Sequence, residues 1–381
     1  MAYFDNAATT YPKPDQVYDF IDSFYRSNGG SAGRGNYELA NTTKGLIDDT
    51  RDRLKRLLRC PAKQVVFEPT ATIALNIIIQ GIIRTGAKNV YISPFEHNAV
   101  TRVLNHYEKN GDITVYELSV TKTLEYDLKR IRYQFDSVKP DFVIVSHASN
   151  VIGLLAPVEK IFSLAKGYGA ITLVDMAQTA GLVDINVGLE TIDFAVFAGH
   201  KTLMAPTGIS GFVMNPAVQP LPVLFGGTGY DSANQDMPSS LPERYEIGTL
   251  NTVGVAGLNA ALRWIEEKTI QYLYECEEQQ RHRLISLLER YDFLSIVGNE
   301  EGRKYVGIVS CVMEGISSDS AGSIFSEQGI SVRTGLQCAP RAHRFLDTFP
   351  EGTIRFSVNA LTSDDDFLAL ENALENIKDE F

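Results

Sequence analysis

Five short apolar runs, Val65-Val-Phe67, Val90-Tyr-Ile92, Phe142-Val-Ile-Val145, Ile171-Thr-Leu-Val174 and Phe194-Ala-Val-Phe197, each give way at once to polar or glycine-containing sequence. An unbroken apolar run of that length is what a strand buried on both faces requires. Helical patterns lie between the runs: Ile161, Leu164, Ala165 and Tyr168 follow the helix-starting Pro157 at i, i+3, i+4 and i+7 spacing. Alternating strand and helix predicts an α/β fold with a mostly parallel central sheet. In such sheets ligands sit beyond the carboxyl ends of the strands. Those ends here read Ser93-Pro-Phe-Glu-His97, Ser146-His-Ala-Ser-Asn150, Asp175-Met-Ala-Gln178 and Ala198-Gly-His-Lys201, and they are expected to converge on one crevice.

A chain of 381 residues is long enough for two domains. The Gly-, Pro- and Ser-rich segment from Phe225 to Asn251 reads as a long loop region. It precedes a helix carrying Leu258, Ala261, Leu262 and Ile265, which is expected to lead into a smaller C-terminal α/β unit containing Tyr305–Met313 and Ile354–Val358. With 35 Lys+Arg against 47 Asp+Glu, a net charge of -12 and no basic run, the chain is not built to bind nucleic acid. Its longest apolar stretch, Ile73 to Ile83, is broken by Asn76 and Gln80 and falls short of the roughly 20 residues that cross a bilayer. The first residues carry no basic region leading into an apolar one, so a cytoplasmic protein is the expectation. Cys60, Cys276, Cys311 and Cys338 form no CxxC pair and have no His at zinc-finger spacing, which argues against a disulfide framework or a metal site.

Lys201 directly follows a buried strand, where desolvation would lower its pKa and favour Schiff-base chemistry with a carbonyl cofactor. Asp175 ends another apolar run, and a carboxylate buried there needs a cationic partner to stay ionised. A lysine for an aldehyde and an acid for a protonated ring nitrogen are what pyridoxal phosphate demands. Taken alone, Lys201 could snorkel to solvent and Asp175 could cap the following turn. His97 could stack on a ring or shuttle a proton, while His147 and His343 have less to recommend them. Thr72, with the amides of Ala71 and Thr72 at the opening of a helix, offers an anion site that is compatible with an ordinary N-cap. The Gly226-Gly-Thr-Gly229 cluster is not a dinucleotide site, because Ser232 replaces the third glycine and no strand leads into it.

Phe4-Asp-Asn-Ala-Ala-Thr-Thr10, Ala71-Thr72, Glu96-His97, Ser146 to Asn150, Asp175 to Gln178 and Gly199-His-Lys201 follow one another in an order that resembles the class V aminotransferase-fold enzymes, specifically the cysteine desulfurase and selenocysteine lyase branch. The resemblance runs from about residue 3 to residue 362. It implies a fold-type I enzyme dependent on pyridoxal 5'-phosphate and working as a homodimer. The implied large cofactor-binding domain spans 15–261, and the small domain combines 1–14 with 262–381. By position, Lys201 would bond the cofactor, Asp175 pair with its ring nitrogen, His97 stack on the ring, and Gln178 and Asn150 address the ring hydroxyl. Ala71, Thr72 and His200 fall at phosphate positions, and Thr249 resembles the residue that reaches the phosphate from the other subunit. Arg355 matches the arginine for the substrate carboxylate, with Ala7, Asn150 and Arg333 on the same side.

Arg333-Thr-Gly-Leu-Gln-Cys338-Ala-Pro340 resembles the nucleophile loop of desulfurases, and Arg333, Arg341 and Arg344 would favour a thiolate there. The implied substrate is L-cysteine or L-selenocysteine; with L-cysteine the reaction leaves alanine and a persulfide on Cys338, from which the sulfur passes to an acceptor protein or a reductant. The alternatives are a selenocysteine lyase or other carbon–sulfur lyase that does not need Cys338, an aminotransferase, or a non-catalytic scaffold for sulfur-carrier assembly. Two positions depart from the family pattern. Ala198 stands where a hydroxyl residue is usual, which removes one phosphate hydrogen bond, and Gln337 stands before the cysteine where a histidine is common.

Overall fold

The computed structural model describes residues 1–31, 35, 37–230 and 233–380, so Ser232 lies outside the described residues. Its strands are β1 (Ala2–Tyr3), β2 (Gln64–Glu68), β3 (Asn89–Ile92), β4 (Thr114–Glu117), β5 (Phe142–Ser146), β6 (Ile171–Asp175), β7 (Phe194–Ala198), β8 (Ser210–Met214), β9 (Leu294–Val297), β10 (Ile308–Met313), β11 (Ile330–Ser331), β12 (Arg333–Gly335) and β13 (Thr353–Ser357). Among the described residues the larger sheet has seven strands in the order β2-β8-β7-β6-β5-β3-β4. Its β4-β3-β5-β6-β7 portion is parallel, and β8 runs antiparallel to both β7 and β2. All five apolar runs lie in this sheet. β5 and β7 are buried at every position, which is why their sequences show no polar alternation.

β8 escaped the periodicity because its run is short and opens on Ser210-Gly211. The glycine has a physical reason: a Cβ on Gly211 would fall 2.1 Å from the Val66 carbonyl oxygen of β2. Helices cover both faces of the sheet. Ala71–Arg84 packs Leu75, Ile78 and Ile82 beneath one face, and Thr252–Lys268 joins the core of the other face through Leu258, Leu262 and Ile265. The described residues between Phe225 and Asn251 form neither helix nor strand, as expected of that segment.

A second, antiparallel sheet has the order β12-β13-β10-β9, and β1 pairs with β11 in parallel beside it. Its core includes Phe4, Phe325, Phe356 and Leu374, so the first residues of the chain pack with the last. Among the described residues, no helix is long and apolar enough to cross a membrane. Nor is any group of three or more His, Cys, Asp or Glu side chains among them placed to hold a metal ion.

Candidate active site

The carboxyl ends of β2, β3, β5, β6 and β7 meet around a cavity of about 300 Å³. Ala71, Thr72, His97, Asn150, Asp175, Gln178, His200 and Lys201 all line it, together with Thr70, Ser146 and Ala198. Short polar connections after each strand make this convergence possible, because the sheet holds the strand ends side by side while the side chains turn upward. β5 and β6, for example, pair Ser146 with Asp175 across the ladder.

Lys201 stands on a tight turn after β7. Gly199 has to be glycine, since a Cβ there would meet the Ile209 carbonyl oxygen at 2.3 Å. The N-terminal segment clamps the same turn: Thr9 Oγ1 donates to the His200 carbonyl at 3.1 Å and Thr10 Oγ1 to the Lys201 carbonyl at 2.9 Å. Burial pushes the Lys201 amine down to about 8, with Arg355 and Arg333 adding to the fall while Asp175 opposes it. Asp175 is pushed up by its own burial, against the Ala177 N–H that it accepts at 2.9 Å and the charge of Lys201. Asp175 therefore does form a turn cap, and it does so while lining the cavity.

His97 caps the helix Asn98–Lys109, its Nδ1 accepting from the Ala99 amide at 3.0 Å. A bare Nδ1 means a neutral ring, and burial reinforced by Lys201, Arg355 and Arg102 holds its pKa near 4. At the opposite end, Thr70 and not Thr72 caps the helix Ala71–Arg84, through Ile73 N at 3.2 Å. Thr72 is thereby free of capping, and the first-turn amides of Ala71 and Thr72 face a cavity at a positive helix end.

Arg355, on β13 of the second sheet, is not among the residues lining the cavity and meets it through the lining residue Asn150. Its Nη1 donates to the Asn150 carbonyl at 2.9 Å, and it is 2% exposed. Arg333 does not point a free guanidinium at the cavity, because it holds Asp5 through Nε and Nη2. Ala7 takes part through its carbonyl, which accepts from Gln178 Nε2 at 2.9 Å. Cys338 is exposed, whereas Cys60 and Cys311 are buried. Its loop is fastened to the site: Asn150 Nδ2 donates to the Gln337 carbonyl at 2.7 Å, and the Asn98 amide to the Cys338 carbonyl at 2.7 Å. Lys201, Arg333 and Arg355 lie within electrostatic reach of Cys338. Arg341 and Arg344 are engaged elsewhere, on Glu117 at 2.6 Å and over the Phe349 ring at 4.4 Å. Thr249 lines a separate hollow with Gly227, Glu246 and Gly248, away from Lys201.

Several participants were not singled out from the sequence. Asp5 bridges Arg333 and Arg355, Glu96 accepts from Ser93 Oγ, Ser146 N and Ser146 Oγ beneath the cavity, and His343 bonds Gln337. Asp5, Glu96 and Ser146 lay inside quoted motifs, so the motif was the available signal. His343 had only its position five residues after the cysteine.

A buried lysine and carboxylate at the strand ends of a mostly parallel sheet, with an arginine brought close by a second sheet, match the fold-type I architecture. The chain belongs to the aminotransferase class-V family, whose model matches residues 2–370. It is 28% identical over 396 residues to a probable cysteine desulfurase of Vibrio cholerae serotype O1, covering 100% of this chain and 94% of that protein. It is 31% identical over 352 residues to a cysteine desulfurase of Escherichia coli O8, covering 89% of this chain and 84% of that protein. The apo structure of a cysteine desulfurase from Thermococcus onnurineus NA1 matches 100% of this chain and 95% of its own, with a TM-score of 0.90 at 25% identity.

Proposed function

We propose that this protein is a pyridoxal 5'-phosphate-dependent cysteine desulfurase, converting L-cysteine to L-alanine with Cys338 as sulfur acceptor. The residues present fit that cofactor. Asn150 Oδ1 and His200 Nδ1 are buried without partners, and the buried Asp175 carboxylate has one backbone donor, so all three can take a polar ligand. When bound, the cofactor supplies a ring that accepts the electrons released at the substrate Cα.

Asp175 would hold the ring nitrogen protonated, His97 would lie on the ring as an uncharged imidazole, and Ala71, Thr72 and His200 would take the phosphate. Arg355 binds the substrate carboxylate and fixes which Cα bond is presented. The Lys201 Nζ, whose hold on its proton is weakened by burial, removes the Cα proton and returns one. The Cys338 thiolate attacks the substrate sulfur: an S–S bond forms as the Cβ–S bond breaks, the released electron pair stays on Cβ, and a proton completes the alanine methyl group. The observation that carries this reading is the tie from cavity-lining Asn150 to the carbonyl before Cys338, which binds the thiol loop to the Lys201 site. The enzyme acts as a homodimer in which Thr249 serves the cavity of a second copy, and an acceptor protein takes the sulfur onward from the exposed thiol.

The test is incubation with L-cysteine without reductant, alanine quantification, and intact mass of the wild type and Cys338→Ser. Alanine with one added sulfur on the wild type alone is expected. Alanine from both proteins would assign a lyase that does not need Cys338.

A further inference from the structure

Gln337 and Cys338 both have left-handed backbone, with φ of +40° and +56°. Side chains other than glycine rarely adopt it, and consecutive residues do so only where surrounding contacts over-determine the conformation. Those contacts are present. Gln337 is 6% exposed; its Nε2 donates to the Thr353 carbonyl at 3.0 Å, and its Oε1 lies 2.8 Å from His343 Nε2. An amide oxygen only accepts, so Nε2 of His343 carries the proton. Nδ1 is then bare and accepts from Thr348 Oγ1 at 2.8 Å. His343 is fully buried and so held in one neutral tautomer. Thr353 stands two residues before Arg355 on β13, so this chain of bonds fastens the thiol loop to the strand that supplies the carboxylate-binding arginine.

We propose that Gln337 is a positioning residue for sulfur transfer: clamped between His343 and Thr353, it holds residues 337–338 in the left-handed turn that presents the Cys338 thiol. Its side chain is not among those lining the Lys201 cavity. Gln337 thus departs from the family's histidine while an imidazole is still supplied beneath the loop, from position 343, as a support. This inference rests on Cys338 being the sulfur acceptor.

The holoenzyme carrying Gln337→Met keeps the volume and loses the bonds. Single-turnover persulfide formation on Cys338 is expected to fall about tenfold or more, because small displacements of a reacting atom are costly in rate. The KM for L-cysteine and the visible absorbance stay unchanged. His343→Phe is expected to give a similar loss, and the double variant no more than the larger single effect, since both remove one shared interaction. Thr348→Val, at a partly exposed position, gives a smaller loss in the same direction and serves if the buried variants do not fold. An unchanged persulfide rate in folded Gln337→Met or in Thr348→Val, or a loss confined to KM, would overturn the proposal. Cys338→Ser separates the two levels: if it still releases sulfur, the desulfurase reading fails and the positioning role with it. If it is inactive while Gln337→Met is unimpaired, only the positioning role fails.

Discussion

Asp5 Oδ1 lies 3.0 Å from Nη2 of Arg355, and the same carboxylate takes Arg333 Nη2 at 2.8 Å on its other oxygen. One carboxylate between two guanidiniums leaves a single uncompensated positive charge, which suits a substrate carrying one α-carboxylate. Arg355 Nε is buried without a partner, so the guanidinium held by Asp5 and the Asn150 carbonyl retains a donor for that ligand.

Arg355→Lys is expected to raise the KM for L-cysteine roughly 10–100-fold with a smaller effect on kcat, because an ammonium cannot replace a planar fork held from two sides. Asp5→Asn is expected to raise KM as well, by leaving the buried Arg355 guanidinium without its counter-charge beside the exposed Arg333. Steady-state kinetics on both variants decide the matter, and an unaltered KM in the two would remove Arg355 from the substrate site.

Burial brings the Lys201 amine to about 8, so near neutral pH about one chain in ten presents a free base, against well under one in a thousand for an ordinary lysine. Capture of added pyridoxal phosphate by the apoprotein should therefore accelerate as pH rises from 6.5 towards about 8 and level off above it. Stopped-flow absorbance reads this directly. A rise that continues towards the ordinary lysine range would mean that Lys201 is not desolvated.

The strand ends were legible because two signals coincide there: an apolar run needs no partner knowledge to be read as buried, and a polar residue straight after it has few structural reasons to be present. The role of Asn150 came only with the family resemblance, whereas Lys201 and Asp175 follow from that coincidence. Asp5 and His343 did not, because their roles come from contacts the local pattern cannot encode. Asp5 meets Arg355 across 350 residues of chain, and His343 acts through the side chain of Gln337. β8 was hidden for a similar reason, its Gly211 being dictated by the approach of β2 and not by any strand preference.

Glu277 lies in the crevice between the two sheets, where it accepts the Gly307 amide at 2.7 Å, and burial pushes its carboxyl up to about 8. With the folded value above the unfolded one, the native state holds an extra proton between about 4.5 and 8. Its contribution is complete below the unfolded pKa and is lost as pH rises through the folded one. Glu277→Gln keeps the amide acceptor without the ionisation. It should melt a few degrees above the wild type at pH 8, with the gap closing at pH 5, in paired thermal scans. A gap independent of pH would mean that Glu277 does not titrate in this range.

Thr249 lines a hollow with Gly227 and Glu246 that is separate from the cavity of Lys201, so the cofactor contact proposed for it would be made in a second copy. Thr249→Val is expected to weaken cofactor retention, seen as faster loss of visible absorbance on dilution. Complementation gives the stronger test. In a mixed dimer of Lys201→Ala and Thr249→Val chains, service across the interface places both defects in one cavity and leaves the other intact. Service within a chain would leave every cavity defective. At limiting cofactor, co-refolded chains should therefore regain alanine release that neither variant shows alone, and absence of recovery would return Thr249 to a purely local role.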